Sequence, residues 1–302
     1  MGRRSIVAVL LSLAVAAGVL LALKSASAAT AALGIRGAPR LLFDSAAWAV
    51  WLAPFAALFA SGFTRRQEPR IIDRQVLRHD DAAILQHWAH AAGTLILVGS
   101  GIALGIRGFL PRLVAGTYAD GVAFNIHFLG AVLFVFGSFY YAGNTLMSGR
   151  LSEHLPHDVG SSLRVVAAHY SAVLGKGKFP AEGKYFASEH LTYPIAAVGS
   201  TLILLTGLIK VAAHGANIPG GLMGAVTLTH DITAVVLGLY LVAHAVAGAL
   251  VPWSWPLLRS MLTGLVPLDY VREHHAGWYR ELTSQTRPEP DDEAAKHAAT
   301  AS

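Results

Sequence analysis

The chain of 302 residues contains no cysteine. That excludes disulfides, c-type haem attachment and cysteine-ligated iron–sulfur clusters within it. Charge is also scarce. Asp, Glu, Lys and Arg make up 14% of the residues, against about 25% in a soluble domain. No internal repeat is evident. What fills the chain is apolar: 54% of residues are hydrophobic and the mean hydropathy is +0.51. Several apolar runs reach roughly 20 residues, the length that crosses a bilayer as a helix. The formal net charge is +5. The basic residues lie between the apolar runs, so they read as membrane topology and not as a nucleic-acid surface.

The N-terminus has Arg3 and Arg4, an apolar stretch from Ile6 to Leu23, and the small-residue site Ala26-Ser27-Ala28. Residues 1–28 are either a secretory signal peptide or a first transmembrane helix. A further span follows at about 46–63. Four core spans come next, at about 83–106 (A), 122–147 (B), 191–212 (C) and 222–250 (D). Arg65–Asp81 is a charged linker, and Gly149–His190 is a polar loop. Within that loop "SSLRVVAAHYSAVL" has the pattern of a surface helix. Residues from about 288 to 302 read as disordered.

Lys and Arg counts set the orientation. The linker (Arg65, Arg66, Arg70, Arg74, Arg78), the B–C loop (Arg150, Arg164, Lys176, Lys178, Lys184) and the tail (Arg259, Arg272, Arg280, Arg287, Lys296) hold five each. The A–B loop holds two, Arg107 and Arg112, and the C–D loop only Lys210. The first three segments therefore face the cytoplasm, as does the C-terminus.

Fourteen histidines remain, several of them inside apolar runs. Span D reads "THDITAVVLGLYLVAH", with His230 and His244 at its ends. Their spacing is roughly 40° short of four helical turns, so they share one face about 21 Å apart along the axis. "QHWAH" puts His87 and His90 at the inner end of span A, and "FNIHFLG" puts His127 near the outer end of span B. Topology thus sets His87 or His90 at the depth of His244, and His127 at the depth of His230. Two stacked histidine pairs are the ligand set of two b haems held in a four-helix bundle. Gly93, Gly99, Gly101, Gly130, Gly137, Gly199, Gly207 and Gly238 offer small faces either to a flat macrocycle or to a neighbouring helix.

At these residues the chain resembles the gamma (cytochrome b) subunit of respiratory formate dehydrogenase. The likeness rests on "QHW" opening span A, "NIHFLGAVLFVF" opening B, "GKYFASEH" before C, the His-x13-His of D and "VREHHAGWYREL" in the tail. It covers about residues 75–285. It implies an all-α integral membrane fold, a four-helix dihaem cytochrome b bundle preceded by a signal peptide or extra helix and by one additional transmembrane helix. It implies two haems b: His87 and His244 as axial ligands of the inner haem iron, His127 and His230 of the outer. His90 then becomes a packing residue. It also implies a periplasmic iron–sulfur partner fed by a molybdenum or tungsten catalytic subunit, with electrons delivered to menaquinone or ubiquinone near the cytoplasmic side of a bacterial inner membrane. The expected organisation is 1–28 as above; 29–81 with a periplasmic segment, the extra helix and the linker; 82–258 as the haem domain; and 259–302 as a cytoplasmic tail. In that tail His274 and His275 are expected as packing or surface residues.

One segment departs from the family. Where its members carry an asparagine that helps bind quinone, this chain has Phe186, and Glu189 and His190 replace a Gln-Lys pair. Lys184, Glu189 and His190 are the candidate quinone contacts. For Glu189 and His190 the alternative is anchorage of the helix at the interface. The same b-type module serves thiosulfate and polysulfide reductases, and a related one serves nickel–iron hydrogenases. From other classes, a histidine-based proton-relay transporter would show acidic residues at several depths, and a metalloenzyme would gather three or more ligands at one depth.

Overall fold

The computed structural model describes residues 41–64, 67–109, 117–148, 154–156, 158–213 and 218–285. The signal-peptide reading and the end of the tail lie outside these residues. The described chain is almost wholly helical and gathers into two compact units. One draws on residues up to 66, 80–153 and 194–252; the other on 67–79, 154–193 and 253 onward.

The first unit holds the apolar helices. After a short helical turn at Leu42–Ser45 come α1 (Ala47–Gly62), α2 (Asp81–Phe109), α3 (Thr117–Ser148), α5 (Ala187–Ala213) and α6 (Gly220–Ala245). Between α3 and α5, α4 (Val159–Val173) belongs to the second unit. Four stretches are long and apolar enough to cross a membrane: Asp81–Gly105, Gly121–Thr145, Ala187–Ala213 and Gly220–Leu250. They coincide with spans A to D. The protein is a multi-pass membrane protein built on a four-helix α-bundle, with α1 as an additional shorter apolar helix. The side Chain faces it leaves exposed are those of a lipid solvent, such as Leu95, Ile102, Leu202, Leu239 and Leu250.

Small residues set the close approaches. α1 buries Ala49, Val50, Ala53, Ala57 and Ala60 at helical spacing. Ala49, Val50 and Ala53 pack with Phe128, Val132 and Val135 of α3, and Ala57 and Ala60 with Tyr140. α2 and α3 meet backbone to backbone. A Cβ on Gly93 would lie 2.7 Å from the Phe134 nitrogen, and one on Gly137 3.1 Å from the backbone of His90. Small residues at such crossings let membrane helices gain van der Waals contact that lipid does not supply. α2 is started by Asp80, whose carboxylate accepts the Ala83 N–H at 2.8 Å. α6 ends in a π-helical turn, Val246–Leu250, just before Pro252.

The second unit forms regular structure from stretches whose sequence reads as linker, loop and tail. Within the linker, β1 (Arg70–Ile72) and β2 (Gln75–Leu77) form a hairpin, and β3 (Leu265–Pro267) from the tail pairs antiparallel with β2. Asp73 turns the hairpin at φ 53°, a left-handed conformation that Asp tolerates. α7 (Trp255–Thr263), α8 (Leu268–His274) and α9 (Ala276–Gln285) complete the tail. Val76, Val266, Val271, Trp278 and Leu282 form this unit's apolar core. The surface helix expected in the B–C loop is α4, whose first turn is capped by Asp158 accepting the Ser161 N–H.

Candidate functional site

The four span histidines come together as two facing pairs. His87 on α2 and His244 on α6 have ring centroids 6.2 Å apart, and His127 on α3 and His230 on α6 have theirs 6.5 Å apart. A transition-metal ion held at roughly 2 Å by one nitrogen of each ring would set the two centroids about 6.3 Å apart. Both pairs therefore have the separation of two imidazoles on one metal. Among the described residues no three His, Asp or Glu side chains gather as a metal site. His90, the neighbour that spacing alone left open, turns away: its ring lies 4.4 Å from that of Phe134, wedged where Gly137 gives room.

Hydroxyls fix the tautomer of the second pair. Ser100 Oγ donates its one proton to the Ile96 carbonyl at 2.6 Å, so toward His127 Nδ1, at 2.9 Å, it can only accept. Thr206 repeats the arrangement, donating to the Leu202 carbonyl at 2.7 Å and accepting from His230 Nδ1 at 2.9 Å. Each Nδ1 therefore carries the proton. Each Nε2 keeps its lone pair for a metal, the usual way a second partner orients a ligating histidine. Nothing in the sequence marks Ser100 and Thr206 as partners of these rings: a lone hydroxyl in an apolar run reads as helix packing.

The glycines divide by role. Gly93, Gly130, Gly137 and Gly199 are held close against neighbouring helices. Gly101 and Gly207 lie beside the His127 and His230 rings, where an added Cβ would stand 3.7 Å from His127 Cε1 and 3.6 Å from His230 Cε1. Such glycines keep space open next to the imidazole edge. Spacing, tautomer and small residues together fit the His127–His230 pair to a haem iron. Spacing alone carries the fit for His87–His244, with Tyr240 stacked over His244 at 6.0 Å.

The segment named as a quinone candidate lies in the second unit. Glu189 accepts the Phe186 N–H at 2.6 Å, so its carboxylate caps the first turn of α5. The guanidinium of Arg78 is 3.8 Å away. Lys184 Nζ lies 5.3 Å from the centre of the Tyr185 ring, and the His190 ring meets Tyr185 edge-on at 6.1 Å. The tail motif packs on the same segment. His275 Nδ1 donates to the Gly183 carbonyl at 2.7 Å, and its ring stacks on Phe186 at 4.3 Å. Gly277 and Trp278 donate their N–H groups to the Glu182 carbonyl. A Cβ on Gly277 would come 2.8 Å from that oxygen, so the residue has to be glycine. His274 and His275 are therefore buried, at 8% and 0% exposure, and the packing half of the expectation for them holds. Burial, then the charge of Arg78, pushes the His275 imidazole down to about 3.

Comparison with curated proteins finds no match. The family model described as prokaryotic cytochrome b561 matches residues 78–264. That range takes in all four long spans and the four paired histidines. It makes the protein a membrane-bound haem b electron carrier, and the chain belongs to the prokaryotic cytochrome b561 family.

Proposed function

We propose that the chain is the dihaem b membrane subunit of a respiratory redox complex, with His87 and His244 ligating one iron and His127 and His230 the other. The carrying observation is the pair of histidine couples at metal-ligand separation on α2, α3 and α6. Each haem, when bound, supplies a one-electron iron couple. The chain's own residues hold the imidazoles in place and keep Nε2 of His127 and His230 unprotonated through Ser100 and Thr206. The apolar helices exclude water, which keeps the iron potentials under the control of the protein.

The likeness to the formate dehydrogenase gamma subunit supports a direction. Electrons enter from a periplasmic iron–sulfur partner of a molybdenum or tungsten enzyme and leave to a quinone on the cytoplasmic side of the inner membrane. A thiosulfate or polysulfide reductase, or a nickel–iron hydrogenase, would use the same subunit with a different partner. The first experiment is a pyridine haemochrome assay with a redox titration on the full chain in detergent. Two haems b per chain with two separable midpoints are expected. A chain that is folded and supplied with haem yet binds none overturns the reading. Co-purification of the partner subunits from native membranes then decides the complex.

A further inference from the structure

The surroundings of the His127–His230 pair repeat themselves across the first unit. On α2, Ser100 bonds the His127 ring and Gly101 leaves room beside it. On α5, Thr206 bonds the His230 ring and Gly207 leaves room beside it. All these residues belong to the same compact unit. The repeat breaks one turn further on. Four residues after Ser100 stands Leu104, and four residues after Thr206 stands Lys210.

Lys210 lies in the last turn of α5, within the apolar span and partly buried. Residues three and four apart on a helix stand one above the other, and a helical side chain lies back over the turn before its own Cα. The Lys210 stem therefore runs back over Gly207 and Thr206, the two residues that meet the His230 ring. Its charge acts on both imidazoles of this pair, and not on His87 or His90. Among the described residues it makes no hydrogen bond or ion pair; Asp231, next to His230, is exposed and does not pair with it. A cation inside an apolar span is costly without an anion, and such a residue generally marks a functional site. A lysine that only anchors the end of α5 would snorkel to water and face the last helix carbonyls. Nothing in that role requires its charge to reach the two rings.

We propose that Lys210 is the counter-charge for a propionate carboxylate of the haem held by His127 and His230, and that it sets that haem's potential apart from the other's. This rests on the dihaem reading above. Haem b carries two propionates, and in an apolar span each needs a cation or water. An ammonium offers three N–H donors to a carboxylate. Lys210 presents them from the face of α5 on which Gly207 leaves the edge of the His230 ring open. The matching position on α2 is Leu104, which offers no donor. A positive charge near the iron also favours the ferrous state, which carries one positive charge fewer than the ferric state. Lys210 thus makes this haem the easier of the two to reduce than it would be without it.

The test uses the full chain in detergent. A redox titration at the haem b absorption band compares wild type with Lys210→Met and Lys210→Arg, and His230→Ala identifies the midpoint that belongs to this pair. Lys210→Met is expected to lower that midpoint and leave the other alone. The ratio of ferric to ferrous haem at a fixed potential should change roughly tenfold, about 59 mV for one electron. Lys210→Arg keeps the charge and should stay close to wild type. The apoprotein is also titrated with haem and with haem dimethyl ester, which has no free carboxylate. The wild-type site should bind haem roughly tenfold more tightly than the ester, and Lys210→Met should bind the two alike. If Lys210→Met takes up no haem at this site, the wild-type chain decides: a preference for haem supports the proposal and equal affinity overturns it. Unchanged midpoints in Lys210→Met, or a shift confined to the other haem, also overturn it and leave the dihaem reading intact, with Lys210 an anchor of α5. A midpoint shift without a wild-type preference for haem over ester overturns the carboxylate pairing. A wild-type chain that binds no haem removes the dihaem reading, and this proposal with it.

Discussion

Ser100 Oγ stands 2.9 Å from Nδ1 of His127, with its own proton already given to the Ile96 carbonyl. In the proposed dihaem reading, that single hydroxyl decides which nitrogen of His127 is left for the iron. Ser100→Ala frees the ring to take the other tautomer and to rotate. Haem affinity at the His127–His230 site is expected to fall by roughly 10- to 100-fold, as on loss of such orienting partners elsewhere. Thr206→Ala should act on the same haem through His230. Ser100→Thr restores the acceptor and should restore binding. A haem titration of the apoprotein measures all three, and equal affinity in Ser100→Ala and wild type rules the role out.

The ligand pairing has a sharper signature. His87→Ala and His244→Ala are expected to lose the same haem and to keep the other, and His127→Ala and His230→Ala to lose the second. The double variant His87→Ala/His244→Ala should then show the same single haem, with the same midpoint, as either single change. Retention of both haems in His244→Ala refutes the pairing.

Gly93 and Gly99 lie on the same helix in opposite situations. A Cβ on Gly93 meets the Phe134 backbone at 2.7 Å, whereas one on Gly99 meets nothing within 4 Å. Gly93→Ala must push α2 from α3 and is expected to cost about 1–3 kcal/mol. Gly99→Ala is expected to be neutral or to stabilise by up to about 1 kcal/mol through helix propensity. Thermal unfolding in detergent compares the two, and equal midpoints would contradict the close crossing.

Acid should weaken the second unit. His275 takes a proton near 6.5 when unfolded but only near about 3 in the fold, chiefly because it is buried. Between those values the unfolded chain binds the extra proton, so stability rises with pH across the window and is lost as pH falls through it. The slope is about 1.4 kcal/mol per pH unit at most. His274, also lowered by burial, acts in the same direction. The unfolding midpoint is expected to drop between about pH 7 and about pH 5, and His275→Gln to flatten that drop while lowering stability at neutral pH. Parallel curves for variant and wild type would defeat this account.

The legible features were those with a local or periodic cause. Spans A to D were readable because a helix in lipid must be apolar over its whole length, and each appears within a few residues of its expected bounds. The face shared by His230 and His244 followed from helical pitch. The illegible features were the non-local ones. β1 and β2 lie in a stretch rich in arginine, and β3 pairs with β2 across nearly two hundred residues of chain. Three-residue strands carry too little pattern to announce such a partner. Glu182 and His169 sit in an ordinary polar loop. Only the packing of α4 against the start of α5 makes them a buried pair.

By itself the sequence determined the membrane class, the number of long spans and the spacing of the histidines along them. Hydropathy and helical pitch act along the chain and need no knowledge of what lies beside it. Tertiary structure set the His87 ring opposite His244 and the His90 ring against Phe134, since only the crossing with α3 turns one of the two away. It also decided that Ser100 and Thr206 meet the rings of His127 and His230, and that the tail histidines pack in one ring cluster with His169. Contacts of this kind depend on where separate helices cross, which no periodicity within one segment encodes.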